Sequence, residues 1–573
     1  MKKPNKRNRR KSKSSQHAYS ALEDRRLLAT FIVNTASDAN APNDGLVSLR
    51  EAVTAANTNT AFGDAQAGAV TGDVIWFDPS IAGSTIRLTA GELTITDDVF
   101  IQGGTNNITI EGDGRRIFSN NSTERVGFTQ LNFIGGRADR GGAIFAGGNT
   151  GGRTVIVGST FNNNEAFVEG GGAIYKQNGD MYIVDSTFTN NDATGVQGSG
   201  GAIFSVDGRT YVTRGSMLSN SANSGGGAVQ VNDGQYFTFG VQVGAAGAEN
   251  VAGETDVQPA DGGAVRVSGN AFVSINGGSI NNNLAARNGG GIWNGPDSSV
   301  YVRANAQVTS NIAAGNFTSE NGGGGIFNAG GYVYVTNSVV SQNQAAGPLG
   351  RGGGIYSESG VLRLTSSRIN SNAAVETGGG VQIDSGFAFF VTSELNGNNV
   401  GDTFTSGAGL GGALHLMGDA VVVDNGGQFS GNRAAERGGA IYGERDSQLF
   451  LRSGSSLRGN VAFNAGSRGG GLYTDGFVQV LNSFFLTNNS FISGGLYVAE
   501  NGFARIIGSN FNGNTSRTNG GGIYNDGFVR ATGTSFVNNV VEVDGGAVFT
   551  STIGETLLSE DTLFSNNSPN DTN

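Results

Sequence analysis

Few residue types in this chain are able to do chemistry. Cysteine is absent, which excludes thiolate nucleophiles, thiolate metal sites and disulfide frameworks together. Two histidines occur, His17 in a basic N-terminal stretch and His415 directly after Gly411-Gly-Ala-Leu414. A lone histidine on a strand serves as a general base only where a substrate proton comes within reach. Carboxylates are more numerous, and Asp192, Asp207, Asp233, Asp384, Asp424, Asp475 and Asp526 fall near turn-like sequence. Glycoside hydrolysis needs two carboxylates facing each other, and a calcium-assisted lyase needs an acidic cluster beside a basic residue. The spacing of these seven predicts neither, because they do not gather in one strand register, and they read as solvated turn residues. No catalytic residue, metal site or cofactor is expected.

A more regular signal is aromatic. The aliphatic residue closing each Gly-Gly-(Ala/Gly)-aliphatic tetrapeptide is followed by Tyr175, Trp293, Phe327, Tyr356, Tyr442, Tyr473, Tyr497 or Tyr524, by Phe145, Phe204 or Phe549, and otherwise by Gln230, Arg266, Gln382 or His415. Neighbours on a strand face opposite sides, so an inward aliphatic residue sends the next one outward. The expectation is a partly exposed aromatic stripe that binds sugar faces or peptides, with rings that only stiffen the wall as the alternative.

The elements that position this stripe follow from the period. Fifteen tetrapeptides run from Ile144 to Val548, about 29 residues apart. Between them recur an apolar residue and, three positions on, asparagine: Phe161 and Asn164, Phe188 and Asn191, Ile280 and Asn283, Ile369 and Asn372, Phe429 and Asn432, Phe511 and Asn514, Phe536 and Asn539, Phe564 and Asn567. Alternating runs such as Tyr332-Val-Tyr-Val335 are β-like, and helical periodicity is absent from the repeats. A unit of two or three short strands cannot bury its own apolar face and must stack on its neighbours. Glycine and asparagine supply the positive-φ corners. The solution is an all-β, single-stranded parallel β-helix of about fifteen rungs, a rod on the order of 70 Å long, with asparagines laddered at one corner. Leucine-rich repeats need leucine at fixed positions, and propeller blades need a longer unit.

Composition agrees with a scaffold. Glycine accounts for 97 of 573 residues and proline for 7. Net charge is −11, divided between +8 over residues 1–30 and −19 over the rest, which argues against nucleic acid as the partner of the main body. No apolar run is long enough for a transmembrane helix. Three regions result: a basic export or targeting tail at 1–29, an N-terminal cap at 30–92 and the repeat domain at 93–573. Ser48 and Glu51 form a capping-box pattern opening a helix near 48–57, whose Leu49, Ala52, Val53 and Ala56 share one face and would close the coil's apolar end. The last repeat ends at Phe564-Ser-Asn-Asn567 without a lid-like sequence after it, and fraying or cover by another molecule is expected there.

The alternation of GGAI-type and FxxN-type tetrapeptides over roughly 135–570 resembles the repeat of chlamydial polymorphic outer-membrane proteins and, more broadly, the pectate-lyase-like β-helix superfamily. That resemblance implies the right hand of the coil. Val47-Ser-Leu-Arg-Glu-Ala-Val53 is similar to the CSLREA segment ahead of bacterial surface β-helices, with valine where that name has cysteine. Leu22-Glu-Asp-Arg-Arg-Leu-Leu28 resembles the LEPR-XLL motif of exported planctomycete proteins, with Asp24 in place of proline. The membrane-inserting barrel of the chlamydial family has no counterpart in this sequence. The Gly-His-Gly, Asn-Thr-Asp and Arg-Ile-Lys strings of polygalacturonase relatives are absent. Together these resemblances imply an exported cell-surface, outer-membrane-associated or extracellular bacterial protein acting as adhesin, stalk or envelope component on a glycan or surface protein. A polysaccharide lyase or glycoside hydrolase is the alternative. The longest gap, from Val229 to Val265, and enlarged segments at 316–321 and 402–409 mark loops able to carry recognition.

Overall fold

The computed structural model describes residues 28–148, 151–253, 260–315, 321–401 and 409–573. His17, the basic tail, most of the LEPR-XLL-like string and parts of the three enlarged loops lie outside the described residues. One rung shows how the chain winds: Ile441–Gly443, Gln448–Arg452, Ser456–Arg458 and Val461–Ala462 follow in order. Each of these four strands pairs in parallel with its counterpart one rung away. The product is an all-β, right-handed parallel β-solenoid of roughly 17 turns with one short helix. At about 4.8 Å per turn it is a rod about 80 Å long. It exceeds the tetrapeptide count because rungs lacking the tetrapeptide precede Ile144. Phe118–Asn120 stacks on Ile144–Ala146, and Val99–Gln102 on Arg125–Thr129. Parallel stacking starts with Ala29–Val33 on Asp73–Phe77.

The fifteen recurrent aliphatic residues form one continuous interior column. Ile174 pairs with Ile203, Ile326 with Ile355 and Leu472 with Leu496, and none of the fifteen is more than 3% exposed. A second interior column carries the aromatic residues of the asparagine motif, where Phe133, Phe161 and Phe188 stack with centroids 4.6 and 4.7 Å apart. The glycine pair has two separate tasks. Gly438 takes φ +62° to turn the corner. Gly439 lies where the coil is pinched, so that a Cβ there would sit 2.2 Å from the Gly470 carbonyl oxygen of the next rung and 2.6 Å from the Val461 carbonyl carbon.

Helix α1 (Leu49–Thr58) begins at Ser48, whose side chain accepts from the Glu51 backbone N–H while Glu51 accepts from Ser48 N–H at 2.9 Å. Its buried face, including Leu49, Ala52, Val53 and Ala56, packs on the first strands of the coil. At the opposite end, strands Glu555–Leu558 and Leu563–Ser565 are formed and pair with the preceding rung.

Charged groups interrupt the interior, among them Asp73, Lys176 and Asp424. Asp424 occupies a core position between Phe390 and Leu451 of the adjacent rungs. It accepts from Ser455 Oγ at 2.5 Å and Gly427 N–H at 3.1 Å, and burial pushes its carboxyl up to about 6. Lys176 donates to the Asp207 carbonyl, and burial pulls its ammonium down to about 8 from 10.5. The unfolded chain therefore binds more protons between pH 8 and 10.5, so stability rises with pH across that window, and below it the buried charge opposes folding by about 3 kcal/mol. Lys176→Met is expected to raise stability by about that amount at pH 7 and to show almost no gain near pH 10.5. Melting curves of the two proteins at both pH values measure the difference.

Candidate functional site

The outward column following the aliphatic residues is present but covered. Tyr175, Phe327, Tyr356, Tyr442, Tyr473 and Tyr497 are only 2–7% exposed, while Trp293 and Tyr524 are half-buried. The expected exposed stripe is thus corrected along most of its length, and the cause is the corner before each glycine pair. At several of these corners the residue folds back over a ring. Arg140 lies over Tyr175 at 5.5 Å, Arg437 over Tyr473 at 5.4 Å and Arg468 over Tyr497 at 5.2 Å, while Leu410 and Ile492 pack on the same cluster. Tyr442, Tyr473, Tyr497 and Tyr524 stack with centroids 4.9–5.0 Å apart. Burial raises the Tyr175 and Tyr442 phenols to about 12. Tyr473→Ser is accordingly expected to lower the melting temperature, through a loss of about 3 kcal/mol. A binding defect without a stability defect would contradict this placement.

The polar members of this column are also occupied. His415 is buried beside Tyr442, with Nδ1 2.8 Å from Gln382 Oε1 and Nε2 3.2 Å from Glu444 Oε1. Gln382 Nε2 donates to Asp384 at 2.6 Å, and Tyr356 Oη donates to the same carboxylate at 2.5 Å. Both ring nitrogens of His415 are engaged, which gives it a structural place in the wall.

The carboxylates are less scattered than their spacing suggests. Asp207, Asp233, Asp384, Asp475 and Asp526 all fall in the turn between the first and second strands of their rungs, whereas Asp192 begins a fourth strand and Asp424 is interior. The result is a line of acidic turns. Several hold neighbouring groups, since Asp526 accepts from Tyr497 Oη and Asp475 from Asn501 N–H and Nδ2. No group of three or more metal-ligating side chains occurs among the described residues.

Two features reach beyond the residues singled out in the sequence. The first is the extent of the asparagine row, fifteen residues from Asn164 to Asn567. Each Nδ2 donates to the next Oδ1 at 2.8–3.1 Å. Beyond the examples given above it includes Asn220, Asn311, Asn343, Asn398, Asn460 and Asn488, each three residues after an apolar residue. Asn250 breaks that spacing because a small bridged turn, Ala245 to Ala248, separates it from Val243.

The second is the outer face of the second strands, where the exposed aromatics reside. Phe387 is 54% exposed, Tyr332 47% and Phe503 38%. Tyr182, Tyr211 and Phe237 stack at 5.0 and 4.9 Å. The alternation in Tyr332-Val-Tyr-Val335 was its sequence signal. From Arg125–Thr129 to Glu555–Leu558, the outward positions of these strands carry eight arginines and two carboxylates, Asp180 and Glu555.

Two segments, residues 185–206 and 426–444, match the Chlamydia polymorphic membrane protein repeat. Each runs from the asparagine motif into the glycine tetrapeptide, taking in Asn191 and Ile203 or Asn432 and Ile441. No curated protein and no solved structure matches the chain. The protein is thus a parallel β-solenoid related to chlamydial-type repeats. No helix among the described residues is long and apolar enough to cross a membrane.

Proposed function

We propose that this chain is an exported bacterial rod, displayed at or outside the cell surface, that works as an adhesin, stalk or envelope component. Several weak contacts spread along one rigid body add through effective concentration. The observation that carries this reading is the unbroken asparagine row, which ties successive rungs into a single stiff unit. The repeat likeness, the basic tail and the CSLREA-like segment support export and surface display.

A binding screen of the intact chain against glycans and matrix proteins tests it, with at least one polymeric ligand expected. Binding to none would remove the adhesin reading. Reducing-sugar and unsaturated-product assays across polyuronates are expected to show no turnover, and reproducible turnover would replace the proposal with a polysaccharide lyase or hydrolase.

A further inference from the structure

Near the C-terminal end, the outer face of the second strands brings together two rows of unlike character. Phe477, Phe503 and Phe528 stack along the rod with centroids 5.7 and 5.0 Å apart and planes within 17°. Two positions along the same strands, on the same face, Arg505 pairs in register with Arg530. Both guanidinium groups are exposed, and neither forms an ion pair among the described residues. Like charges directly opposed on neighbouring strands repel, and here they sit beside an exposed ring, Phe503, flanked by the half-buried Phe477 and Phe528, on a body of net negative charge. The nearby turn carboxylates do not relieve them: Asp475 is engaged with Asn501 and Asp526 with Tyr497. Glu555 follows Phe528 in the ring row and bounds the patch.

Resting on the adhesin reading, we infer that this face binds a linear anionic polysaccharide, bearing sulfate or carboxylate groups, laid along the rod axis. Arginine presents paired N–H donors that match sulfate and carboxylate oxygens. The rings take the apolar sugar faces. The rows repeat at about 4.8 Å, so successive sugars of an extended chain meet successive rungs. A nucleic acid would offer the arginines the same sign of charge, and the oligonucleotide arm of the test separates it from a glycan.

The test uses the intact chain in EDTA against dextran sulfate, polygalacturonate, neutral dextran and a single-stranded oligonucleotide. Binding to at least one anionic glycan is expected, weakening with salt, with neutral dextran unbound. The preferred arm identifies sulfate or carboxylate as the group recognised. Arg505→Ser/Arg530→Ser is expected to weaken binding about tenfold or more without lowering the melting temperature. Phe503→Ser/Phe528→Ser should weaken it while leaving the charge intact, and Arg505→Lys/Arg530→Lys should recover only part of it. Equal binding of the oligonucleotide, binding unaffected by the arginine pair, or no binding to either anionic glycan would overturn the assignment. Should the chain still bind another ligand in the general screen, the adhesin reading would survive that failure.

Discussion

Asn343→Leu is expected to be among the most damaging single substitutions in the rod, costing about 5 kcal/mol. Asn343 Oδ1 accepts from Asn311 N–H and Asn311 Nδ2, both at 3.0 Å. Its Nδ2 donates to the Val308 carbonyl at 2.9 Å and to Asn372 Oδ1 at 3.0 Å. Leucine fills a similar volume but leaves two donors on Asn311 without their acceptor and removes one bond each from the Val308 carbonyl and Asn372 Oδ1, in a site that water does not reach. Each stranded buried group costs about 1–3 kcal/mol, which outweighs the gain from added apolar area. Asn567→Leu makes the same chemical change at a part-buried position, and there the loss should stay below about 1 kcal/mol because water replaces the missing partners. Thermal midpoints, with hydrogen exchange at Asn311 N–H, distinguish the two. Equal effects at Asn343 and Asn567 would mean that burial does not set the strength of the row.

Gly439→Ala should cost about 4 kcal/mol, although alanine adds a single methyl group. That methyl would meet backbone on both sides, the Gly470 oxygen and the Val461 carbonyl, and neither is the movable end of a side chain. The molecule contains its own control. In the repeat opened by Ser493, serine occupies the corner equivalent to Gly438, adopts φ 61° and donates to the Leu496 carbonyl at 2.7 Å. A Cβ at Gly438 would also meet backbone, the Ile441 carbonyl oxygen at 2.1 Å, but Ser493 shows that this corner can open to admit serine, so Gly438→Ser should cost about 2 kcal/mol. The second glycine is retained in all fifteen copies. Comparable melting temperatures for the two variants would show that the pinch is more compliant than its geometry implies.

The period, the aliphatic column, the laddered corner and the helical lid were legible in the sequence because each repeats or follows a local rule. Ile174, Ile203 and Val229 announce one column by recurring in one context. What was hidden depended on how separate columns lie against each other. Strand alternation correctly turns Tyr473 away from the interior, yet says nothing of Arg437, one rung earlier, reaching over its ring. Asp384, Asp475 and Asp526 each stand three residues after the aliphatic member of their tetrapeptide, so their line was legible in the period although the carboxylates read as scattered. Lys176 and Asp424 break the inward pattern singly, so no periodicity marks them. The exposed rings escaped notice because the conspicuous glycine motif drew attention to its own following residue, while the second strands carry theirs among Val, Gln, Ser and Arg.

The amide row also gives the rod a direction. Every side chain in it presents its oxygen toward the N-terminal end and one of its two N–H bonds toward the C-terminal end, from Gly136 N–H bonding Asn164 Oδ1 to Asn567 Nδ2 bonding Asp571 Oδ1. Aligned amides reinforce one another's polarisation, as peptide units do in a helix. The solenoid is therefore an electrical vector, partially positive where its donors emerge, and the Asp571 carboxylate sits at that pole as a counter-charge.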